Sequence, residues 1–332
     1  MFDKNIDFLA IGDITTDAFI RIKEANVNCR LDTDKCELCM KFGDKVPFEY
    51  VKVIEAVGNS ANAAIAVARL GINTGLITQV GDDQNGKDCL KILKEEKVDA
   101  RFAKIHNNKP TNYHFVLWYD VDRTILINHV EYDYKLPTIK RPPKWIYLSS
   151  LASNTADYHK EITEYLIKNP EVKLAFQPGT FQIKLGIQEL KDIYGRTEVF
   201  ICNVEEAQRI LLNETRDIKI LLKEIHSNGP KIVLITDGPK GAYMFDGEHY
   251  YFMPEYPDAK PPVERTGCGD SFSATFVAAL IMGKSPLEAL VWAPVNPMSV
   301  IQYVGAREGL LNRENIEWWL KNAPPEYKPK EI

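Results

Sequence analysis

The sequence predicts a three-layer α/β fold, a mainly parallel β-sheet covered by helices on both faces, with a small β unit beside it. Short apolar runs recur along the chain, each leaning on a turn: Phe8–Gly12, Gly75–Gly81, Trp145–Leu148, Val172–Phe176, Val199–Asn203 and Ile232–Thr236. Between them, apolar residues repeat at helical spacing over Ser60–Leu70, Lys87–Val98, His159–Lys168 and Ile218–His226. Strands alternating with helices argue for a parallel sheet buried on both sides. In such sheets ligands bind off the carboxyl ends of the strands, where Asp13, Gly81, Asn203 and Thr236 fall. The third observation is a break in this rhythm. Residues 18–56 and 100–135 are more polar and strand-like, and Tyr113–Tyr119 with Thr124–Asn128 reads as a hairpin turning at Asp120-Val121-Asp122-Arg123. The expected organisation is therefore a core of residues 1–17, 57–99 and 136–322, a small β unit of 18–56 and 100–135 with a cysteine-containing insertion, and an extended tail at 323–332 carrying Pro324, Pro325 and Pro329.

At 332 residues, 45% hydrophobic and 26% charged, the chain has the composition of a soluble globular protein, and disorder is excluded. A net charge of −5 leaves no basic footprint for nucleic acid or an anionic membrane, so a small polar substrate is expected. No apolar run approaches the length of a membrane span, and Met1–Asp7 lacks a signal-peptide pattern, which predicts a cytoplasmic protein. Six cysteines in a chain of this length make no disulfide framework and are expected as thiols. Cys36-Glu37-Leu38-Cys39 has metal-ligand spacing but no second pair nearby. With Cys29 it is read as packing or surface thiol, or else as a zinc site completed by His106, His114 or His129.

The densest chemistry lies in Glu264-Arg265-Thr266-Gly267-Cys268-Gly269-Asp270-Ser271-Phe272. The residues that follow, through Phe276 and Ala279 to the stop at Gly283, read as a buried helix. Glycines on either side of Cys268 let the backbone approach a ligand closely. The free N–H groups of the first turn, with the helix dipole behind them, favour an anion. Asp270 at the rim would repel that anion unless it had a task, and a base is the natural one. An ordinary N-cap by Asp270 is the alternative.

Five further places stand out. Val57-Gly58-Asn59-Ser60-Ala61-Asn62 opens a helix, as a ligand-binding turn or a simple cap. Asp17 reads by itself as a loop aspartate. Asn203-Val204-Glu205-Glu206 offers hard oxygen ligands for Mg²⁺ at a strand end, and also fits a capping box. Thr236-Asp237-Gly238-Pro239-Lys240-Gly241 reads by itself as a strand-end turn. Gly81–Asp88 approximates a P-loop, but Asp88 replaces its hydroxyl residue, and Asp82 and Asp83 would repel phosphate.

Thr266-Gly267-Cys268-Gly269-Asp270-Ser271-Phe272 resembles the C-terminal signature T-G-A-G-D-x-F of the ribokinase-like (PfkB) carbohydrate and nucleoside kinases, with cysteine for alanine. Gly58, Asn59 and Asn62 are similar to the family's G-G-x-x-A-N, with Val57 in place of the first glycine. Gly81–Gly86, Asn203–Glu206 and Thr236–Gly241 match its V-G-D-D-x-x-G, N-x-x-E and T-x-G-x-x-G segments, so the likeness runs over about residues 6–312. The resemblance implies a Rossmann-like (ribokinase-like) core with a β lid over a sugar site, and transfer of the γ-phosphoryl of ATP to a sugar hydroxyl. It implies Asp270 as base, with the amides of Gly267, Cys268 and Gly269 as anion hole. It implies Asp17, Gly58, Asn59 and Asn62 on the sugar, and Asn203, Thr236, Gly238, Gly241 and Asn296 on the nucleotide, the last in a region with Gly305-Ala306 that closes over adenine. Glu206 would serve Mg²⁺, a monovalent cation has a place in the family, and lids of this kind can form homodimers. Glu264 and Arg265 depart from the usual Asp and Thr. A nucleoside kinase is the alternative, and a non-catalytic sugar or nucleotide sensor on the same fold, which has no need of a base, is a third reading.

Overall fold

The computed structural model describes residues 5–29, 36–120 and 122–332. Met1–Lys4, read above for targeting, and Val121 of the hairpin turn lie outside the described residues. The chain begins on β1 (Phe8–Ile11) and leaves it for β2 (Thr15–Ile22), the hairpin β3 (Asn26–Cys29) and β4 (Cys36–Cys39), and the long β5 (Phe48–Val57). Next come α1 (Asn59–Arg69), β6 (Thr74–Ile77), β7 (Gln79–Gly81), α2 (Gln84–Glu95), β8 (Lys104–His106), β9 (Asn112–Tyr119) and β10 (Asp122–Leu126). The middle alternates regularly: β11 (Trp145–Leu148), α3 (Ala156–Lys168), β12 (Lys173–Phe176), α4 (Thr180–Glu189), α5 (Lys191–Arg196), β13 (Thr197–Asn203), α6 (Val204–Leu211), α7 (Ile218–His226) and β14 (Ile232–Thr236). It closes with β15 (Ala242–Phe245), β16 (Tyr250–Met253), α8 (Cys268–Ile281), α9 (Pro286–Trp292), α10 (Val295–Val300), α11 (Arg313–Lys321) and β17 (Lys330–Glu331).

The large sheet has the order β17-β16-β15-β14-β13-β12-β11-β1-β6. Its strands from β6 to β14 run parallel, and β15 to β17 add an antiparallel edge. Because side chains alternate along a strand, each strand feeds two cores. Phe8 and Ala10 join the layer of α1, α2 and α8–α11, whereas Leu9 and Ile11 join the layer of α3–α7. Phe200 is wholly buried in the second layer, its ring against Phe176 and stacked on Tyr194. Its truncation to alanine should cost about 3–5 kcal/mol in urea unfolding, and a loss under about 1 kcal/mol would contradict this packing.

A second sheet, β10-β9-β2-β5, stands off the carboxyl edge of the first. Its inner residues Phe19, Ile54, Val57 and Val116 pack with Val304 from the loop after α10. It starts at Thr15, directly after the turn that leaves β1, because β2 pairs with β9 in parallel from Thr15 to Arg21. The single run expected over Gly75–Gly81 is broken at Thr78. β6 stays in the large sheet while β7 peels off to pair with β8, and Gly81 lies so close to Lys109 that an added Cβ would sit 2.1 Å from its carbonyl. No helix among the described residues is long and apolar enough to cross a membrane.

Two expectations are corrected. Cys29 and Cys36 form a disulfide, since the antiparallel register of β3 and β4 sets them directly opposite. Cys39, Cys89, Cys202 and Cys268 are thiols. The tail does not trail free: Tyr327 is buried against Tyr256, its hydroxyl donates to the Val291 carbonyl, and Lys330–Glu331 pair with β16.

Candidate active site

Two helix N-termini meet above the carboxyl edge of the large sheet. The facing stretches of α1 and α8 are small, with Ala61 and Ala64 on one and Ala274 and Ala278 on the other, all fully buried, so the helices pack closely. This brings Asn59 and Asn62, from the first turns of α1, onto Asp270 at the start of α8. Asn59 Nδ2 donates to Asp270 Oδ1 (2.8 Å), Asn62 Nδ2 to Oδ2 (2.7 Å), and Gln177 Nε2 to Oδ1 (3.2 Å). Gln177 is itself fixed by a short hydrogen bond from the buried Tyr147 hydroxyl. The two asparagines expected on a sugar thus commit their amide nitrogens to orienting the carboxylate, and Asn62 Oδ1 is left without a partner.

Gly267 enters α8 with φ 83°, and a Cβ there would lie 2.3 Å from the Ala306 Cβ. Only glycine fits both the left-handed backbone and the contact. The Cys268 amide turns onto the Arg265 carbonyl at 3.4 Å. The amides of Gly267, Gly269 and Asp270 have no protein acceptor among the described residues, so of the trio expected as anion hole the Cys268 amide is the one already engaged. Glu264 explains the loop's shape. Fully buried, it accepts from Thr266 N (2.7 Å), Thr266 Oγ1 (2.5 Å) and Gly305 N (3.3 Å), which pins the turn to the segment after α10.

Burial pushes the Asp270 carboxyl above the usual carboxylate range. The bonds from Asn62, Asn59 and Gln177 and the charge of Arg123 oppose that rise. A base must be ionised to work, so the acid limb of kcat/KM should lie at a pH above the ordinary aspartate value of about 3.9, with activity falling as pH drops through it. For stability, a carboxyl raised on folding supports the fold below its unfolded pKa and loses that support as pH rises through the folded value. A flat pH–rate profile from about pH 4 to 7 would contradict the shift. Burial pushes the Cys268 thiol up to about 12, so it remains a neutral lining group.

A cleft of about 310 Å³ opens beside Asp270 toward the small sheet, and Asp17, Gly58, Asn59, Asn62, Gly267 and Gly269 all line it. Two histidines that sequence reasoning weighed only as metal ligands face this cleft. His114 Nδ1 stands 3.3 Å from Asp17 Oδ1, off line for a hydrogen bond, and its Nε2 has no hydrogen-bond partner among the described residues. His129 Nδ1 donates to Asp13 Oδ2 (3.0 Å), and the two rings lie 5.1 Å apart. Phe181, Ile125 and Ile127 add an apolar side. Gln177 was legible in principle, since it directly follows β12 at the carboxyl edge; Arg123 had no local signal.

A second cleft, of about 540 Å³, lies beyond the α8 N-terminus and is lined by Asn203, Thr236, Gly238, Gly241, Cys268 and Gly269. Gly241 turns back under Met253, where a Cβ would sit 2.5 Å from a carbonyl, so this turn needs its glycine. Asn203 and Glu206 form the capping box: Asn203 Oδ1 accepts from Glu206 N (2.8 Å), and Glu206 Oε2 accepts from Asn203 N (2.9 Å). Only one carboxylate oxygen of Glu206 is spent in this way. Burial pushes its carboxyl upward, with nearby Asp270 adding to the rise, and such a pair of acids is where a hard cation would be drawn. Among the described residues no three acidic, histidine or cysteine side chains gather into a metal cage, so a cation here would take the free Glu206 oxygen and fill its remaining positions with waters and phosphate oxygens, as Mg²⁺ does. Asn296 is a correction. It is fully buried, donates to Thr275 Oγ1 (3.0 Å) and accepts from Leu311 N (3.0 Å), and so pins α10 to α8 rather than reaching either cleft.

A family model described as pfkB family carbohydrate kinase matches residues 23–313. The ATP-dependent 6-phosphofructokinase of Thermoanaerobacterium thermosaccharolyticum is 24% identical, over 95% of this chain and 94% of its own. Among solved structures, Arabidopsis thaliana ribokinase complexed with ribose and ATP superposes with a TM-score of 0.75 at 21% identity, covering 96% of this chain and 99% of that one. The Methanocaldococcus jannaschii nucleoside kinase gives 0.74 at 14% identity, over 96% and 99%. The chain thus belongs to the pfkB family of carbohydrate kinases, phosphotransferases with an alcohol group as acceptor, built on the ribokinase-like α/β fold.

Proposed function

We propose that this protein transfers the γ-phosphoryl group of ATP to a hydroxyl of a sugar, with a free sugar bearing a primary hydroxyl as the favoured acceptor. The observation that carries the reading is the position of Asp270, a buried carboxylate lining the first cleft next to Gly269, which lines both clefts, and beside three amides with no protein acceptor among the described residues. The acceptor sits in the cleft of Asp17, Gly58 and His114, with the small sheet as its lid. Asp270 removes the hydroxyl proton as the bond to phosphorus forms, and Asn59, Asn62 and Gln177 hold the carboxylate in line. The amides of Gly267, Gly269 and Asp270 hold the charge that develops on the transferring oxygens. ATP lies in the cleft of Thr236, Gly238 and Gly241. Mg²⁺, when bound, supplies positive charge against the phosphates, and Asn203 and Glu206 would hold it with its waters.

The apolar side of Phe181, Ile125 and Ile127 favours a second acceptor class, nucleosides, whose base would pack there. The outer face of the lid carries Val51, Val53, Phe115 and Leu126, each close to half exposed, which supports a homodimer through the lid. An ADP-release screen of the purified protein against pentoses, hexoses, their phosphates and nucleosides tests the reading. Turnover with a free sugar supports it, a preference for a nucleoside moves it to the second class, and ADP release with no acceptor dependence contradicts both. Asp17→Ala should raise the acceptor KM by about tenfold or more and leave the ATP KM near wild type. Loss of ATP affinity instead would mean the two clefts are exchanged.

A further inference from the structure

We propose that Arg123, carried by β10 of the small sheet, is a catalytic residue that contacts the transferring phosphoryl group and neutralises charge on its oxygens. This rests on the phosphotransfer reading above. Arg123 lines both clefts at once, and a phosphoryl group passing from donor to acceptor must cross that shared border. The other groups common to both are Asn203, Thr236, Gly269 and Arg265. Arg265 is the weaker candidate because its charge is turned toward two acids of the donor cleft: burial pushes Glu255 and Asp258 up, and Arg265 draws both back.

The guanidinium of Arg123 is not consumed by the fold. Its Nε lies 3.6 Å from Glu264 Oε1 and its Nη1 3.8 Å from Asp122 Oδ1, ion-pair contacts beyond hydrogen-bond length, and the buried Nε has no hydrogen-bond partner among the described residues. The hydrogen-bonding capacity of Glu264 is met by Thr266 N, Thr266 Oγ1 and Gly305 N, so Arg123 offers that buried carboxylate charge and leaves its own N–H groups for another acceptor. Its positive charge also reaches both Asp270 and Cys268, lowering the pKa of each against burial, which places it over the base and the anion hole together. The remaining groups at this border are carried by the large sheet and its helices.

The test uses the full chain and an acceptor found in the screen. Arg123→Gln and Arg123→Lys should each lower kcat by about 10²-fold or more, with both KM values changed less than roughly threefold and an unaltered melting temperature. Lysine keeps the charge but not the planar fork, so it should rescue little. Millimolar guanidinium should restore part of the kcat of Arg123→Gln. A kcat within roughly threefold of wild type in both variants overturns the inference while the phosphotransfer reading stands. A loss of kcat that tracks a lowered melting temperature, with no rescue by guanidinium, reduces Arg123 to a strut and also overturns it. So does a raised KM confined to phosphorylated acceptors at unchanged kcat, which would assign Arg123 to the acceptor's own anion. If wild-type protein transfers nothing to any acceptor, the phosphotransfer reading fails, and this inference fails with it.

Discussion

Asp270→Asn should lower kcat by about 10²–10⁴ while the protein remains folded, since Asp270 is the carboxylate set beside the free amides of the α8 turn. The surroundings argue that the fold will accept the change. Asp270 takes three amide donors, from Asn59, Asn62 and Gln177, and an asparagine there would turn its own NH₂ toward one of them. Asn62 Oδ1 has no partner, so that amide can flip and accept the new donor. The substitution also removes a buried carboxyl whose ionisation burial disfavours, so apo stability at neutral pH should be held or slightly raised. Substrate KM values should move far less than kcat, because the carboxylate acts in the transition state. Steady-state kinetics with thermal unfolding as control checks this.

Gly267→Ala is the second large effect, and it separates the anion hole from the base. The new methyl would meet Ala306 Cβ at 2.3 Å and Cα at 2.6 Å, at a residue with φ 83°. The loop must move, and with it the amides of Gly267 and Gly269. Loss of aligned donors to a developing oxyanion is worth about 10²–10³ in kcat, and a stability loss of about 1–3 kcal/mol should accompany it. Gly283→Ala is the control. Its φ of 84° carries the same backbone strain, but nothing lies within 4 Å of its Cβ position, so it should cost stability by roughly 1 kcal/mol and leave turnover intact. Equal kinetic damage from both would show that strain alone, not the displaced amides, is responsible.

The features legible in the sequence are those that local chemistry determines. Strands such as Trp145–Leu148 announce themselves because both faces are buried, and the start of α8 does so because glycines, a carboxylate and a helix N-terminus come together within a few residues. Asn203 and Glu206 are legible for the same reason, as a capping box is a fixed spacing, and that spacing alone cannot say whether the carboxylate also serves a cation. Long-range pairing left no such trace. His114, His129 and Arg123 reach the clefts because β2 pairs in parallel with β9, a register that neither segment encodes by itself. The Cys29–Cys36 disulfide depends likewise on which residues face across β3 and β4. Asn296 shows the converse error. A polar residue near a motif invites a ligand contact, yet a buried asparagine with both ends bonded to protein is a structural pin.

The most direct test of the account is transfer of label from γ-labelled ATP to an added acceptor, measured for wild type and Asp270→Asn side by side. The account predicts that label moves to the acceptor's hydroxyl only when acceptor is present, and that Asp270→Asn lowers the rate by about 10²–10⁴ without unfolding. A folded Asp270→Asn protein that transfers label at more than about a tenth of the wild-type rate, or label released to phosphate regardless of acceptor, would contradict it.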